Sequence, residues 1–382
     1  MNLKYKDKKP QSKIRRRARE IEIKLPKADN LIIAGENFTA LAALLKSGYK
    51  GKVDLIYIDP PFFTNNDFVV SRGRVRTISS SKSGDIAYSD KYEKEEYLEF
   101  IRERLVLIHK LLSKQGSLYL HIDTKIGHYI KIILDEIFGE ENFLNEITRK
   151  KSNPKNFFRK AYGNEKDTIY FYAKIKGQNI WNDERIDLTA DDEERLYAKR
   201  DADGRAYTTV TVHAPGECDG ATGQPWHMMM PPSGRHWRTS PEKLDELDRK
   251  GRIEWSSKGV PRIIRYADEH LGKKIQDIWL DYKDPVYPEY PTQKNKEMLE
   301  LIIKQSSAPK SIVLDCFAGG GGTLELAKKL GRRFVAIDQS EVSIKLLKKK
   351  LLDHNPKPKT KFVDLKDYEQ IINEKENDDT AS

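Results

Sequence analysis

The sequence predicts an α/β chain, built on a mostly parallel sheet with helices on its faces and interrupted by an inserted module. Three observations predict it. Leu31-Ile-Ile-Ala34, Val53 to Ile58, Ile312-Val-Leu314 and Phe334-Val-Ala-Ile337 are apolar almost throughout, the pattern of strands buried on both faces. Segments with helical spacing alternate with them. Between about residues 176 and 283 this rhythm stops, and Asp, Arg, Gly, Pro and Trp take over.

The elements follow in order. Residues 1–25 are dominated by Lys and Arg, among them Arg15, Arg16, Arg17 and Arg19, and read as a basic arm, with a short solvated helix as the alternative. The α/β domain takes up 26–175 and 284–355. After Leu31–Ala34, Phe38 to Leu45 reads as a helix and Val53 to Ile58 as the next strand. Residues 62–90 have no clear period; a loop this long in a compact domain is functional or disordered, and a lid is expected here. Glu95 to Leu112 sets Leu98, Ile101, Leu105 and Ile108 on one helical face, and Gly116 ends it. Ser117 to Ile122 is a strand, Tyr129 to Phe138 an amphipathic helix and Thr168 to Tyr172 a strand. Residues 176–283 form the insert, in which the acidic run Asp191 to Glu194 reads as a solvated turn. Glu297 to Ile303 resumes the helical pattern, and the α/β signal runs to about Leu352. Residues 356–382 read as a polar, frayed tail.

Bulk properties narrow the function. The 382 residues can bury a sizeable core, and with 34% charged and 38% hydrophobic residues the chain reads as soluble. No apolar run approaches the roughly 20 residues of a membrane span, and the charged N-terminus lacks an apolar signal core, so a cytoplasmic home is expected. A net charge of +10 suits a polyanion such as nucleic acid; a merely soluble basic protein stays open on charge alone. Cys218 and Cys316 are the only cysteines, which excludes a disulfide scaffold and a cysteine-built zinc site.

Two strand ends carry chemistry. In the first, Ile312-Val-Leu-Asp315 runs through Cys316-Phe317-Ala318 into Gly319 to Gly322 and a helix over Leu324 to Leu330. Glycines let the backbone approach a ligand, and cofactor sites lie at the carboxyl ends of such strands. No Gly-Lys-Ser/Thr follows, which disfavours a triphosphate loop. The next strand ends in Asp338, where an acid can bond ribose hydroxyls. In the second, Val53 to Ile58 ends in Asp59-Pro60-Pro61-Phe62. A rigid strand exit explains this poorly. A carboxylate and a main-chain carbonyl can accept the two hydrogens of an exocyclic amine, whose lone pair is otherwise delocalised into its ring. Proline offers only a carbonyl, and Phe62 can stack on a base that has left the helix.

These segments, in this order, resemble the adenine-N6 and cytosine-N4 amino-methyltransferases in the permuted beta-class arrangement. Tyr290-Pro-Thr-Gln-Lys294 resembles the family's Thr-Gln-Lys-Pro segment, and Leu31 to Asn37 the segment bordering the cofactor's adenine. Gly116 to Asp123 and Phe138 to Phe143 resemble modification subunits of type III restriction systems and their solitary relatives. The resemblance spans about 30–175 and 285–350. It implies a seven-stranded, Rossmann-like methyltransferase fold with S-adenosylmethionine as methyl donor. It implies that Asp59 and Pro60, with Pro61, bind the target amine while Phe62 stacks on the base. Glu36, Asn37, Thr292, Gln293, Lys294, Asp315, Phe317, Ala318, Gly319, Gly321 and Asp338, with Asp59, would hold the cofactor. Asp at position 59 goes with adenine in this family and Ser with cytosine, so adenine in duplex DNA is expected. Cys316 and Asn295 stand where proline is common, Gly320 and Gly322 where serine and threonine are, and Phe62 where tyrosine is.

The insert, with Trp226, His227, Arg235, His236, Trp237, Arg238, Trp255, Arg262 and Arg265, is expected to read the target; a small tryptophan core with a basic rim is the alternative. Arg72, Arg74 and Arg76, and Arg149-Lys150-Lys151, are candidate phosphate contacts, against solvated charge runs. His121 and His128 read as structural, and no metal is expected. Cytosine-N4 transfer, an RNA or release-factor methyltransferase and a non-enzymatic DNA-binding subunit are the rival readings. A homodimer and a restriction partner stay open.

Overall fold

A computed structural model of the chain describes residues 2–61, 93–153, 160–290, 293–352 and 359–368, and the backbone alone of 67–69 and 86–89. The chain divides into two compact units, 1–184 with 276–382, and 185–275. The second unit is narrower than the expected insert: residues 176–184 and 276–283 belong with the α/β unit.

The first unit is organised by a sheet of nine strands: β1 (Asn30–Ala34), β2 (Val53–Ile58), β3 (Leu112–Ile122), β4 (Phe143–Lys150), β5 (Lys166–Ala173), β6 (Ile278–Trp279), β7 (Ile312–Asp315), β8 (Arg333–Asp338) and β9 (Thr360–Asp364). Their order is β6-β4-β5-β3-β2-β7-β8-β1-β9. Neighbours run parallel, except that β5 is antiparallel to both β3 and β4. The inner seven strands match the number that the resemblance implies, and β6 and β9 extend the two edges. β1, β2, β7 and β8 occupy the middle and are buried on both faces, which is why they read as unbroken apolar runs.

Helices α1 (Gln11–Glu20), α2 (Asn37–Leu44), α3 (Lys94–Leu111), α4 (Thr124–Phe138), α5 (Lys296–Ser306), α6 (Gly322–Lys329) and α7 (Glu341–Leu351) complete the unit. Short polar side chains start several of them. Asp123 accepts from the backbone N–H of Lys125 at 2.9 Å, and Asn295 from that of Met298 at 2.9 Å. Asn295, which replaces the family's proline, therefore serves as the cap of α5.

Two expectations are corrected. The N-terminal segment is not a basic arm over its whole length: α1 buries Ile14 and Ala18 in the main core, with Ile23 and Leu25 beyond it. The spacing of Ile14 and Ala18, four residues apart, makes a narrow apolar stripe that the surrounding arginines mask in the sequence. Nor is the tail uniformly frayed. β9 pairs with β1, Val363 and Leu365 are buried, and Lys348 of α7 lies 3.6 Å from the centre of the Phe362 ring. Residues 369–382 lie outside the described residues, as does most of the 62–90 loop expected as a lid. Within that loop the backbones of Asp67–Val69 and Ile86–Ser89 pair antiparallel.

The unit 185–275 has its own small core of Val212, Trp226, Trp237, Leu244, Ile253 and Ile263. Around it stand a four-stranded antiparallel sheet and the helix Pro241–Arg249. Asp191 and Asp192 lie in the first turn of a helix, Ala190–Leu196, capped by Thr189, instead of the expected turn.

The burial of α1 is open to measurement. Ile14→Ala should lower the stability of the protein by about 2–4 kcal/mol, as for large-to-small changes in a packed core. Urea denaturation checks this; a loss below about 0.5 kcal/mol, the size usual for surface substitutions, would mean that the segment is a detached arm.

Candidate active site

Parallel strands side by side end on the same edge of their sheet. β2, β7 and β8 are such strands, and their carboxyl ends carry Asp59, Asp315 and Asp338. All three line one cavity of about 230 Å³. Its other walls come from Gly35, Glu36 and Asn37 after β1, Tyr57 of β2, Phe100 and Arg104 of α3, Tyr290, Gln293 and Lys294, and Cys316 to Gly320 with Gly322 and Thr323.

The turn from β7 into α6 is shaped by glycine. Gly319 has φ +49° and Gly321 φ +76°, in the left-handed region that other residues rarely adopt. A side chain at Gly321 would also come within 2.7 Å of Leu347. The turn directs the Gly319 N–H to Asp338 Oδ2 at 2.8 Å, while the Ser340 N–H donates to Asp338 Oδ1 at 2.8 Å. Asp315 Oδ1 accepts from the Phe317 N–H at 2.9 Å. Burial pushes the Asp315 carboxyl up to about 8 against this hydrogen bond, with Asp59 and Asp338 adding repulsion. Burial raises Asp338 as well.

On the opposite wall Glu36 caps α2, accepting from the N–H groups of Phe38 and Thr39, each at 2.9 Å. Burial would raise its carboxyl, but the ion pair with Arg104 and the two N–H groups outweigh that and hold it low. Arg104 donates from Nε to Asn37 Oδ1 at 2.7 Å and lies 3.7 Å from the centre of the Phe100 ring. Asn37 Nδ2 in turn donates to the Cys316 carbonyl at 3.1 Å, tying α2 to the glycine turn.

At the tip of β2, Lys294 Nζ pairs with Asp59 Oδ2 at 2.5 Å, and both side chains are largely buried. The other oxygen, Asp59 Oδ1, is buried with no hydrogen-bond partner. Such a buried atom calls for a partner, whether a ligand or an ordered water. The Pro61 carbonyl accepts from the Tyr97 hydroxyl. Beneath the tip, the Tyr57 hydroxyl lies 2.8 Å from His121 Nδ1, and His121 Nε2 lies 2.9 Å from Asp167. Arg149 sits 3.6 Å from the same carboxylate and pairs with Asp284.

The cavity therefore gathers Glu36, Asn37, Asp59, Pro61, Gln293, Lys294, Asp315, Phe317, Ala318, Gly319 and Asp338 from the sequence-based candidates. Gly321 shapes the turn without lining the cavity, Pro60 lies between two lining residues, and Phe62, Thr292, Arg72, Arg74 and Arg76 fall outside the described residues. Arg149 is corrected: it is fully buried and its guanidinium serves Asp167, Asp284 and the Tyr282 carbonyl, so it offers nothing to a phosphate. Lys150 reaches Glu165 at 3.3 Å and keeps about a third of its side chain in solvent. Arg235 and Arg238 are exposed, near His213 and the Thr211 carbonyl respectively. Trp226 and Trp237 are core residues of the second unit and Trp255 is exposed. Sequence reasoning missed Tyr57, Phe100, Arg104, Tyr290, Leu299, Thr323, Gln339 and Ser340. An arginine inside the apolar period of α3 is the one of these with a visible signal.

Residues 53–349 match the N6/N4 family of DNA methylases. The chain belongs to this family. It is an S-adenosylmethionine-dependent DNA methyltransferase. The type II methyltransferase M.EcaI of Enterobacter cloacae is 38% identical over 87% of this chain and 71% of its own. The Mod subunit of the type III restriction-modification enzyme EcoPI, of Escherichia phage P1, is 25% identical over 82% of this chain and 58% of its own. Among solved structures, M1.HpyAVI aligns with TM-score 0.44 at 16% identity, over 84% of this chain and 98% of that one. Among the described residues of the methyltransferase no helix is long and apolar enough to cross a membrane, and no cluster of His, Cys, Asp and Glu could hold a metal ion.

The raised Asp315 carboxyl fixes the sign of a pH effect. The folded protein without ligand holds this proton where the unfolded chain, near 3.8, releases it. The stabilisation is complete below about pH 4 and is lost as pH rises to about 8. The urea midpoint of the wild type should fall relative to that of Asp315→Asn across this window; a constant difference between pH 5 and 8 would contradict the assignment.

Proposed function

We propose that the methyltransferase transfers a methyl group to the exocyclic N6 of an adenine flipped out of double-stranded DNA. The observation that carries this reading is the orphaned Asp59 Oδ1 at the floor of a cavity suited to the cofactor. The residues fit S-adenosylmethionine: carboxylates for a cationic ligand and its ribose hydroxyls, glycine backbone for close approach, and the rings of Phe100, Phe317 and Tyr290 for apolar surface. When bound, the cofactor supplies a methyl group activated on a positively charged sulfur. Asp338 would hold the ribose and Asp315 the cationic end, with Phe317, Ala318, Gly319, Glu36, Asn37 and Gln293 closing round them.

The chain's own contribution is to place an amine. Asp59 Oδ1 accepts one of its hydrogens and the Pro60 carbonyl the other, which makes the nitrogen more tetrahedral and frees its lone pair. Lys294, held against Oδ2, keeps the carboxylate in place. Pro61, whose carbonyl is taken by Tyr97, fixes the strand exit, and Phe62 stacks on the base. Positioning and a preorganised electrostatic site then lower the barrier. Arg235 and Arg238 on the exposed side of the second unit, with Lys150, Arg72 and Arg74, are the candidate contacts to DNA. The pairing of Asp with adenine in this family favours N6 over cytosine N4. The Mod-subunit relatives also suggest a restriction subunit as partner, and a second copy of the chain is a further candidate; light scattering of the purified protein, with and without DNA, tests the latter.

The decisive experiment uses tritiated S-adenosylmethionine and mixed-sequence duplex DNA, followed by digestion to nucleosides. Label is expected in N6-methyladenosine for the wild type, reduced at least about 100-fold in Asp59→Ala, the scale of losing a positioned proton acceptor. Label in N4-methylcytidine would overturn the base assignment and leave the family intact.

A further inference from the structure

The net charge of +10 is unevenly placed. Lys and Arg balance Asp and Glu across residues 185–275, and the first 27 residues carry most of the excess. Part of that excess joins other cations at the edge of the sheet where β2 and β3 begin. Lys50 lies just ahead of β2 and its neighbour Gly51 donates to the Lys110 carbonyl at 3.0 Å. Lys110 closes α3 just ahead of β3, and Lys174 follows the antiparallel β5, returning to the same edge. Lys174 Nζ donates to the His109 carbonyl at 2.6 Å and to His109 Nε2 at 3.0 Å. Arg15 and Arg19 of α1, one turn apart, join the group.

These groups crowd one another. Burial, together with Lys174, Arg15 and Lys110, pushes His109 down to about 4, so its imidazole is neutral and can accept from Lys174. Burial and the neighbouring Lys110 and Arg15 push Lys174 down to about 8, and burial with Arg15, Lys50 and Arg19 lowers Lys110. All three are shifted by burial and by neighbouring cations alone. The nearby acids serve other cations: Glu103 pairs with Lys9 and Arg17, Glu22 with Lys46, and Glu20 with Arg16. Arg15 Nε is itself buried without a hydrogen-bond partner. Cations at the end of a helix gain something from its dipole, which accounts for Lys110 but not for five cations drawn from four places in the chain.

We propose that this edge, formed by Arg15, Arg19, Lys50, Lys110 and Lys174, is a second DNA-binding surface that takes the phosphate backbone of a DNA segment other than the one being methylated. The active cavity lies at the carboxyl ends of β2, β7 and β8, and the six residues of β2 put about 20 Å between the two edges. A straight duplex seated over the cavity does not follow the opposite edge. Cations that pair with no carboxylate among the described residues match the phosphates of a duplex, since binding there releases condensed counterions. A protein that holds a second segment can pass from one duplex to another without first dissociating. The inference rests on the DNA-methyltransferase reading of the cavity.

The test follows dissociation of the full-length protein from a short labelled duplex as unlabelled duplex is added. For the wild type the dissociation rate should climb with competitor concentration. In the triple variant Arg19→Ala, Lys50→Ala, Lys110→Ala it should stay flat, while single-turnover methylation of a short duplex is unchanged. The slope of log K against log salt for the second duplex should shallow by about 3, close to 0.9 per phosphate contact removed. A wild-type rate that ignores competitor, or a variant that responds as the wild type does, overturns the inference. Competition by poly-glutamate but not by duplex also overturns it, and assigns the edge to an acidic protein. Loss of methylation in both proteins would instead sink the catalytic reading, so the two failures are distinguishable.

Discussion

The site depends on one constraint: three neighbouring parallel strands each end at an aspartate, and all three aspartates line the same small cavity. Like charges so placed cannot all ionise freely. Each carboxylate is settled differently. Asp59 has Lys294. Asp338 has two backbone N–H groups, that of Ser340 just beyond it and that of Gly319, which the turn with positive φ at Gly319 and Gly321 brings to it. Asp315 has one N–H and is pushed up far enough to hold a proton near neutrality. The surplus is negative, and a cationic ligand relieves it. Much of the surrounding structure serves this arrangement, from Tyr290 against Gly320 to the Glu36–Arg104–Asn37 bracket that ties α2 and α3 to the glycine turn.

The tip of β2 is also held from below. Tyr57, His121, Asp167 and Arg149 form a buried polar chain across β2, β3, β5 and β4. His121 and Arg149 together hold the Asp167 carboxyl well below the usual range, although burial alone would raise it. Such groups are mutually dependent: removing one partner of a buried pair costs about 3–5 kcal/mol, because the other charge is left uncompensated. This explains why an arginine that looks in the sequence like a phosphate contact is instead structural. In Arg149-Lys150-Lys151 the strand alternation turns one cation inward and the next outward, and without a partner in view the inward one cannot be told apart.

Central strands were legible because burial on both faces leaves an unbroken apolar signature, and the two motif-bearing strand ends were legible because glycine and proline have few conformational uses. The elements that escaped notice are those half in solvent. β4 carries Asn145, Glu146 and Arg149 among its apolar residues, and β9 shows only Phe362 and Val363 within a charged tail. α1 hides Ile14 and Ala18 among arginines. In the cavity, the residues read from the sequence are those next to the motifs along the chain. Those missed, such as Phe100, Arg104 and Leu299, come from helices whose distance in sequence says nothing about proximity in space.

The pairing of Lys294 with Asp59 bears on why an aspartate, and not a neutral acceptor, stands at the tip. An exocyclic amine presents two hydrogens. A carboxylate with both oxygens exposed could swing to meet one of them, but nothing would fix its plane. Lys294 occupies Oδ2 and leaves Oδ1 buried, unmet and oriented. The proline backbone holds the neighbouring carbonyl equally still. In the proposed reaction the acceptors are thus arranged before the base arrives, and little reorganisation is left for the reaction itself. A serine in the same place would accept one hydrogen with a rotating, neutral hydroxyl and would have no use for the lysine. In the proposed reaction the ion pair is therefore as much a mark of the reacting group as the aspartate is, and it ties the segment at 293–295 to the tip of β2.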